Sequence, residues 1–257
     1  VLAATSTVTL IGRIDGATTV AQDPVRVLSS NVMGDGASVD EIVELAVTSR
    51  VDAIVLPEAS RQFAASVTDG ARRRGLDLIS QTDEPLDPID GAITHDHLAT
   101  GPFPTSLLVR VDLRPQFATA FPGALLGSLI ATVDLGGRRL NLLAVHPAPP
   151  LPGQVSQWRA DLGRVARRCT TSAIIAGDFN ATLDHPPFQR LLASGCVDTA
   201  ASSGDALTGT WPSSWPRPLA APIDHVLLAG PHRTVTSFAV RDITGTDHRA
   251  LLATVTP

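Results

Sequence analysis

From Val25 onward, short apolar runs alternate with amphipathic stretches. Val25 to Ser30 reads as a buried strand. Ser38-Val39-Asp40-Glu41 has the Ser-x-x-Glu form of a capping box, and Val39, Ile42, Val43 and Ala46 then fall on one helical face. Ala53 to Leu56 predicts a second strand and Ser60 to Arg74 a second helix, with Arg72-Arg73-Arg74 as a solvated helix end that complements the dipole before Gly75. Strands are then predicted over Leu76 to Ile79, Ala92 to Thr94, Ser106 to Val111, Leu126 to Val133 and Leu140 to Val145. Gln154 to Arg168 carries Val155, Trp158, Leu162 and Val165 at helical spacing; a strand follows at Ala173 to Ala176 and a short helix at Pro187 to Ala193. A Trp/Pro loop occupies Trp211 to Pro222, and the last strands are Ile223 to Ala229, Val235 to Val240 and Ala250 to Val255. This order predicts an α/β layer fold in one domain over residues 25–257. Residues 1–24 are rich in Ala, Thr and Val without a helical period, and are expected to form an arm or linker.

Composition narrows this picture. With 44% hydrophobic and 18% charged residues in 257, the chain has ample material for a core. All 20 basic residues are arginines and the net charge is -5, which excludes a strongly basic, sequence-blind nucleic-acid coat. No run reaches the roughly 18 apolar residues of a membrane-spanning helix. The chain begins at Val1 rather than Met, so an upstream segment, such as a signal peptide or membrane tether, is expected, and with it an extracytoplasmic location. Cys169 and Cys196 are too few for a disulfide scaffold and lack zinc-site spacing. A single bridge and two buried thiols are both open readings.

The residues able to do chemistry collect at strand ends, where a rigid sheet holds them. These are Asn31, Glu58 after Pro57, His146, Gly177-Asp178-Phe179-Asn180, Ile223-Asp224-His225 and Gly245-Thr246-Asp247-His248. A lone Asn or Asp after a strand is usually a turn residue. Six such elements in this order are a stronger signal, and the order resembles the endonuclease/exonuclease/phosphatase superfamily across Val25 to Val255. The matching segments are Leu28-Ser29-Ser30-Asn31, Ile54-Val55-Leu56-Pro57-Glu58, Val145-His146, Gly177-Asp178-Phe179-Asn180, Ile223-Asp224-His225-Val226 and Thr246-Asp247-His248.

The resemblance implies a four-layer sandwich of two mixed β-sheets packed face to face between helices, a monomer, and metal-dependent phosphoester hydrolysis. Glu58, aided by Asn31 and Asp247, is expected to hold Mg²⁺ or Mn²⁺, since carboxylate and amide oxygens suit hard cations. Asp178 is expected to orient and deprotonate the attacking water, with Asn180 on the phosphate or the same water. If the segment is extended, a spacing of two points both side chains to one face. His146 and His248 are expected to donate to phosphoryl oxygens, with Asp224 fixing the tautomer of His248. No covalent enzyme intermediate is expected. Two departures stand out: Pro57 precedes Glu58 where many members have Gln, and the chain has no tyrosine to match the phosphate-binding one of abasic-site endonucleases.

Secondary candidates are His185, which either lines the cleft or caps the helix from Pro187; His95 and His97, which could reach substrate from a loop; and Trp211 with Trp215, which stack on substrate, touch a lipid interface or simply pack their own loop. Strand alternation turns His225 away from Asp224. Three functions are compatible with these residues. The first is a phosphodiesterase or phosphatase acting outside the cytoplasm on a lipid or small-molecule phosphoester, favoured by the negative charge and the Pro-rich continuation after His146. The second is a metal-dependent nuclease with nucleic acid as partner; the third is a non-catalytic binding domain.

Overall fold

The computed structural model describes residues 24–83, 103–230 and 234–256. The expected arm therefore lies outside the described residues except for Pro24, as do His95, His97 and the strand expected at Ala92 to Thr94. Two six-stranded sheets carry the fold. The first comprises β1 (Val25–Ser29), β2 (Ala53–Pro57), β3 (Leu78–Asp83), β4 (Thr105–Arg110), β11 (Thr234–Arg241) and β12 (Ala250–Thr256), in the order β11-β12-β1-β2-β4-β3. The second comprises β5 (Gln116–Thr119), β6 (Ser128–Leu135), β7 (Arg138–Val145), β8 (Ala173–Asp178), β9 (Cys196–Asp198) and β10 (Asp224–Ala229), in the order β5-β6-β7-β8-β10-β9. Among the described residues only β1–β2 and β7–β8 pair in parallel; the other pairs are antiparallel, so both sheets are mixed.

Each central strand is buried on both faces, which is why its sequence is a continuous apolar run rather than an alternation. Val27, Val55, Leu107, Leu142, Ile174 and Val226 point into the layer between the sheets. Their neighbours Leu28, Ile54 and Leu108 face α1 (Val39–Thr48) and α2 (Arg61–Arg73). On the other side Ile175 and Leu227 face α3 (Val155–Ala166) and α4 (Pro186–Ala193). The result is the expected helix–sheet–sheet–helix sandwich. Ser38 caps α1 by accepting the Glu41 N–H, and Ser60 caps α2 by accepting that of Phe63. A short helix, α5 (Thr199–Ser202), follows β9.

The structure moves some boundaries. The strand expected at Leu76 to Ile79 lies at Leu78–Asp83, because its polar half pairs with β4 at the sheet edge. Strands β5 and β9 had no apolar signal: Gln116, Ala118 and Thr119 of β5 are exposed, and β9 has three residues. Cys169 and Cys196 form a disulfide that joins the end of α3 to β9, which resolves the open alternative.

The strand directions place the site. β1, β2, β7 and β8 all end at one edge of the sandwich, delivering Asn31, Glu58, His146 and Asp178 there. β12 runs antiparallel to β1 and β10 antiparallel to β8, so they begin at that edge and bring His248 and Asp224 with them.

Candidate active site

Asp178 is the hub. Its Oδ2 accepts from Asn31 Nδ2 at 3.1 Å and stands 3.7 Å from both His146 Nε2 and His248 Nε2. Those last two distances exceed a direct hydrogen bond and suit a bridging water or substrate oxygen. His248 Nδ1 donates to Asp224 Oδ2 at 2.9 Å, the buttress that the sequence predicted. Asn31 Nδ2 also donates to Glu58 Oε1 at 3.0 Å, while its Oδ1 accepts the Met33 N–H at 2.9 Å. Asn31 therefore ties the two carboxylates together, one from each sheet.

Local backbone geometry explains the motif residues. Gly177 brings β8 so close to β7 that a Cβ there would stand 1.9 Å from the Val145 carbonyl oxygen. At Gly245 a Cβ would fall 2.2 Å from the Gly36 carbonyl oxygen, so this glycine lets the loop before His248 pack on the loop after Asn31. Glu58 and Asn180 adopt positive φ of 62° and 49°, sparsely populated for such residues and typical of functional sites. The turn at Asn180 corrects one expectation: the segment is not extended. Asp178 Oδ1 accepts the Asn180 N–H at 2.8 Å, and Asn180 Nδ2 donates to the Pro147 carbonyl at 3.1 Å, which ties the two loops.

Burial sets the electrostatics. It pushes Asp178 above the ordinary aspartate range, Asp224 adds to the rise, and His248 and His146 oppose it. Burial likewise raises Glu58, aided by Asp247 and opposed by Asn31 and His248. His146 is depressed by its burial, with Asp178 pulling the other way, and its Nδ1 has no protein partner. Burial also works against the charged form of His248, yet Asp224 and Asp178 overcome it and push it up to about 10. The two imidazoles are thus pushed in opposite directions, His248 toward its charged form by the carboxylates around it and His146 away from it by burial.

The other candidates separate. Asp247 Oδ2 accepts from Trp211 Nε1 at 2.8 Å, its Oδ1 lies 3.9 Å from His248 Nε2, and the Trp211 ring lies 6.4 Å from that of His248. His185 lies apart from the Asp178 hub: its Nδ1 accepts the Thr182 N–H at 2.9 Å and its ring meets Trp158 edge-on. It precedes α4 but makes no side-chain cap to it. His225 turns away from Asp224, as predicted. Two residues had no role assigned from sequence. Thr246 Oγ1 donates to the Asn31 carbonyl and accepts the His248 N–H, which joins β1 to β12. Buried Arg249 donates to Asp242 and to the carbonyls of Gly209, Ser213 and Trp215, clamping the Trp loop beside Asp247. An Arg directly after the Asp-His pair was the available signal for the second.

Residues 28–248 match the model of the Endonuclease/Exonuclease/phosphatase family. This chain belongs to that family. No curated protein sequence matches it. Among solved structures, it is similar to an endonuclease/exonuclease/phosphatase from Beutenbergia cavernae DSM 12333, with a TM-score of 0.69 and 18% identity over 91% of this chain and 71% of that one. It is also similar to D. rerio TDP2 complexed with a single-strand DNA product (TM-score 0.66, 17% identity, 91% and 99% of the two chains). A third is the endonuclease domain of TRAS1, a telomere-specific non-LTR retrotransposon (TM-score 0.62, 14% identity, 91% and 98%). As a family member the chain is a phosphoester hydrolase with a buried Asp/His cluster. Family members typically use a divalent metal, and ligand atoms of Asp178, Asp224 and His248 lie within 4.8 Å of one another.

Two observations bear on how a cation fits. In the Asp178, Asp224, His248 group, the Asp224–His248 hydrogen bond already engages two of the side chains. Beside it, half-buried Glu58 accepts from Asn31 and has its ionised form disfavoured by desolvation and by Asp247, and two carboxylates this near each other fit a hard divalent cation.

Proposed function

We propose that this protein hydrolyses phosphodiesters with Mg²⁺ or Mn²⁺, on a lipid or small-molecule substrate outside the cytoplasm. The observation that carries the chemistry is the single oxygen of Asp178 standing 3.7 Å from the Nε2 atoms of two imidazoles. A water between them gives its proton to Asp178 as it attacks phosphorus, the bond from phosphorus to the leaving oxygen breaks, and that oxygen takes its proton from solvent. His248, held by Asp224, keeps its Nε2–H on a phosphoryl oxygen, and His146 donates from the other side. Glu58 and Asp247 would hold the cation, which would neutralise charge on the phosphoryl oxygen, while Asn31, whose own Oδ1 is taken by the Met33 N–H, orients the Glu58 carboxylate through its Nδ2.

The substrate class rests on the rim. Trp211 is 41% exposed and its side chain bonds Asp247, Trp215 on the same loop is 56% exposed, and Met33, 51% exposed, follows Asn31 by two residues and donates its backbone N–H to it. Apolar side chains at the mouth suit a lipid or apolar leaving group better than a polyanion. The Cys169–Cys196 disulfide supports the extracytoplasmic location. A nuclease is the second reading, favoured by D. rerio TDP2 with its DNA product and by the TRAS1 endonuclease domain among the similar structures.

Phospholipid hydrolysis and nicking of supercoiled plasmid, each in Mg²⁺ and in Mn²⁺, separate the two. Metal-dependent head-group release with intact plasmid is the expected result; chelator-sensitive nicking that vanishes with Asp178→Ala would establish the nuclease instead. Glu58→Gln should raise the metal concentration needed by about tenfold or more, since ligand charge sets affinity. An unchanged metal dependence would place the cation elsewhere.

A further inference from the structure

We propose that His225, oriented by Asp198, is a positioning residue for the catalytic turn, a role that rests on Asp178 acting as the base. Asp178 ends β8, and its carboxylate is aimed by the reversal of the chain at Asn180. That reversal is held at four points. Phe179 N–H donates to the Ile223 carbonyl at 2.9 Å, and the Phe179 carbonyl accepts from Trp158 Nε1 at 3.2 Å. Asn180 Nδ2 holds Pro147. The fourth point is the Ala181 carbonyl, which accepts from His225 Nε2 at 2.8 Å.

His225 reaches that carbonyl in a fixed orientation. Its Nδ1 donates to Asp198 Oδ2 at 2.7 Å, while Asp198 Oδ1 accepts the Ala201 N–H at 2.7 Å. The ring packs 4.4 Å from Phe188 and meets Phe179 edge-on at 5.5 Å, while the two hydrogen bonds set its orientation. A residue placed only to fill this space would be apolar, because a buried polar group costs stability unless every partner is supplied. Here every partner is supplied, and the last one lies three residues beyond the base. Strand alternation makes β10 serve both purposes: Asp224 orients His248 in the cleft, and His225, one residue on, fixes the turn from behind.

The test compares His225→Gln with Phe188→Leu, which loosens the same packing and leaves the polar links intact. The probe is bis(4-nitrophenyl) phosphate with Mg²⁺, assayed well below each variant's Tm, together with amide hydrogen exchange at Asn180. His225→Gln is expected to lower kcat between about tenfold and a hundredfold at unchanged KM, as a small misplacement of a catalytic group does, and to speed Asn180 exchange. Phe188→Leu is expected to lower Tm with kcat and Asn180 exchange unchanged. A kcat loss in His225→Gln no larger than in Phe188→Leu, or Asn180 exchange equal in the two, overturns the proposal. If His225→Gln does not fold, Asp198→Asn, which keeps the shape but weakens the anchor, is expected to give the same pattern. If the probe is not cleaved by the wild type, the phosphodiesterase reading fails on that substrate, and the exchange comparison alone decides the positioning role.

Discussion

Two buried carboxylate–imidazole couples meet on β10, and they are finished differently. His225 has both ring nitrogens bonded at 2.7 and 2.8 Å, to Asp198 and Ala181. His248 has only Nδ1 bonded, to Asp224 at 2.9 Å; its Nε2 faces Asp178 at 3.7 Å and Asp247 at 3.9 Å. Both rings are held above the ordinary histidine value despite their burial, each by the carboxylate bonded to its Nδ1 and by further anions. The difference therefore lies in the second nitrogen. One couple is closed on both sides; the other leaves a ring nitrogen between Asp178 and Asp247 without a hydrogen bond of its own, which is where the proposed chemistry would draw on it.

The largest expected effect comes from emptying the open side. Asp178→Ala should lower turnover by roughly two to four decades, the magnitude typical of a general base, while leaving the fold intact. Asp224→Asn should cost about 10- to 100-fold, because the neutral amide no longer sustains the charge on His248. Turnover within a few-fold of wild type for Asp178→Ala would end the assignment of the base. A loss for Asp224→Asn as large as that for Asp178→Ala would mean that the two carboxylates act as one unit.

A smaller effect should appear in stability. His248 carries its proton up to about 10 in the folded protein and to about 6.5 unfolded, so between these values the folded state binds the extra proton. Its contribution is full below pH 6.5 and is lost as pH rises through about 10. His225 is raised too, and acts in the same direction. Thermal melting in chelator should therefore fall across this window, and His248→Gln should flatten part of the slope while leaving the share due to His225. An unaltered slope in His248→Gln would show that the open couple is not charged at neutral pH.

Much of this was legible because burial writes itself into sequence. Doubly buried strands such as β1, β2 and β8 read as apolar runs, and strand ends then locate Asn31, Glu58 and Asp178 without any structure. Edge strands β5 and β9 carry no such demand and left no signal. The partners of His225 were equally hidden, since Asp198 lies 27 residues away and Ala181 contributes only a carbonyl, which any residue would supply. The same holds for Arg249, whose partners are mostly main-chain oxygens.

The smallest expected effect sharpens the comparison at the rim. Trp211→Phe keeps an aromatic face and removes the N–H held by Asp247 Oδ2. Trp211 is 41% exposed, so water replaces the lost bond and the cost in stability should stay under about 1 kcal/mol. The freed carboxylate is nonetheless that of Asp247, a proposed cation ligand whose Oδ1 lies 3.9 Å from His248 Nε2, so the half-saturating Mg²⁺ concentration should shift while kcat at saturating metal holds. Metal titrations of the two proteins measure this directly. A fall in kcat with no shift in metal dependence would instead make the indole N–H part of the substrate contact, and would move Trp211 from holding Asp247 to touching the phosphoester itself.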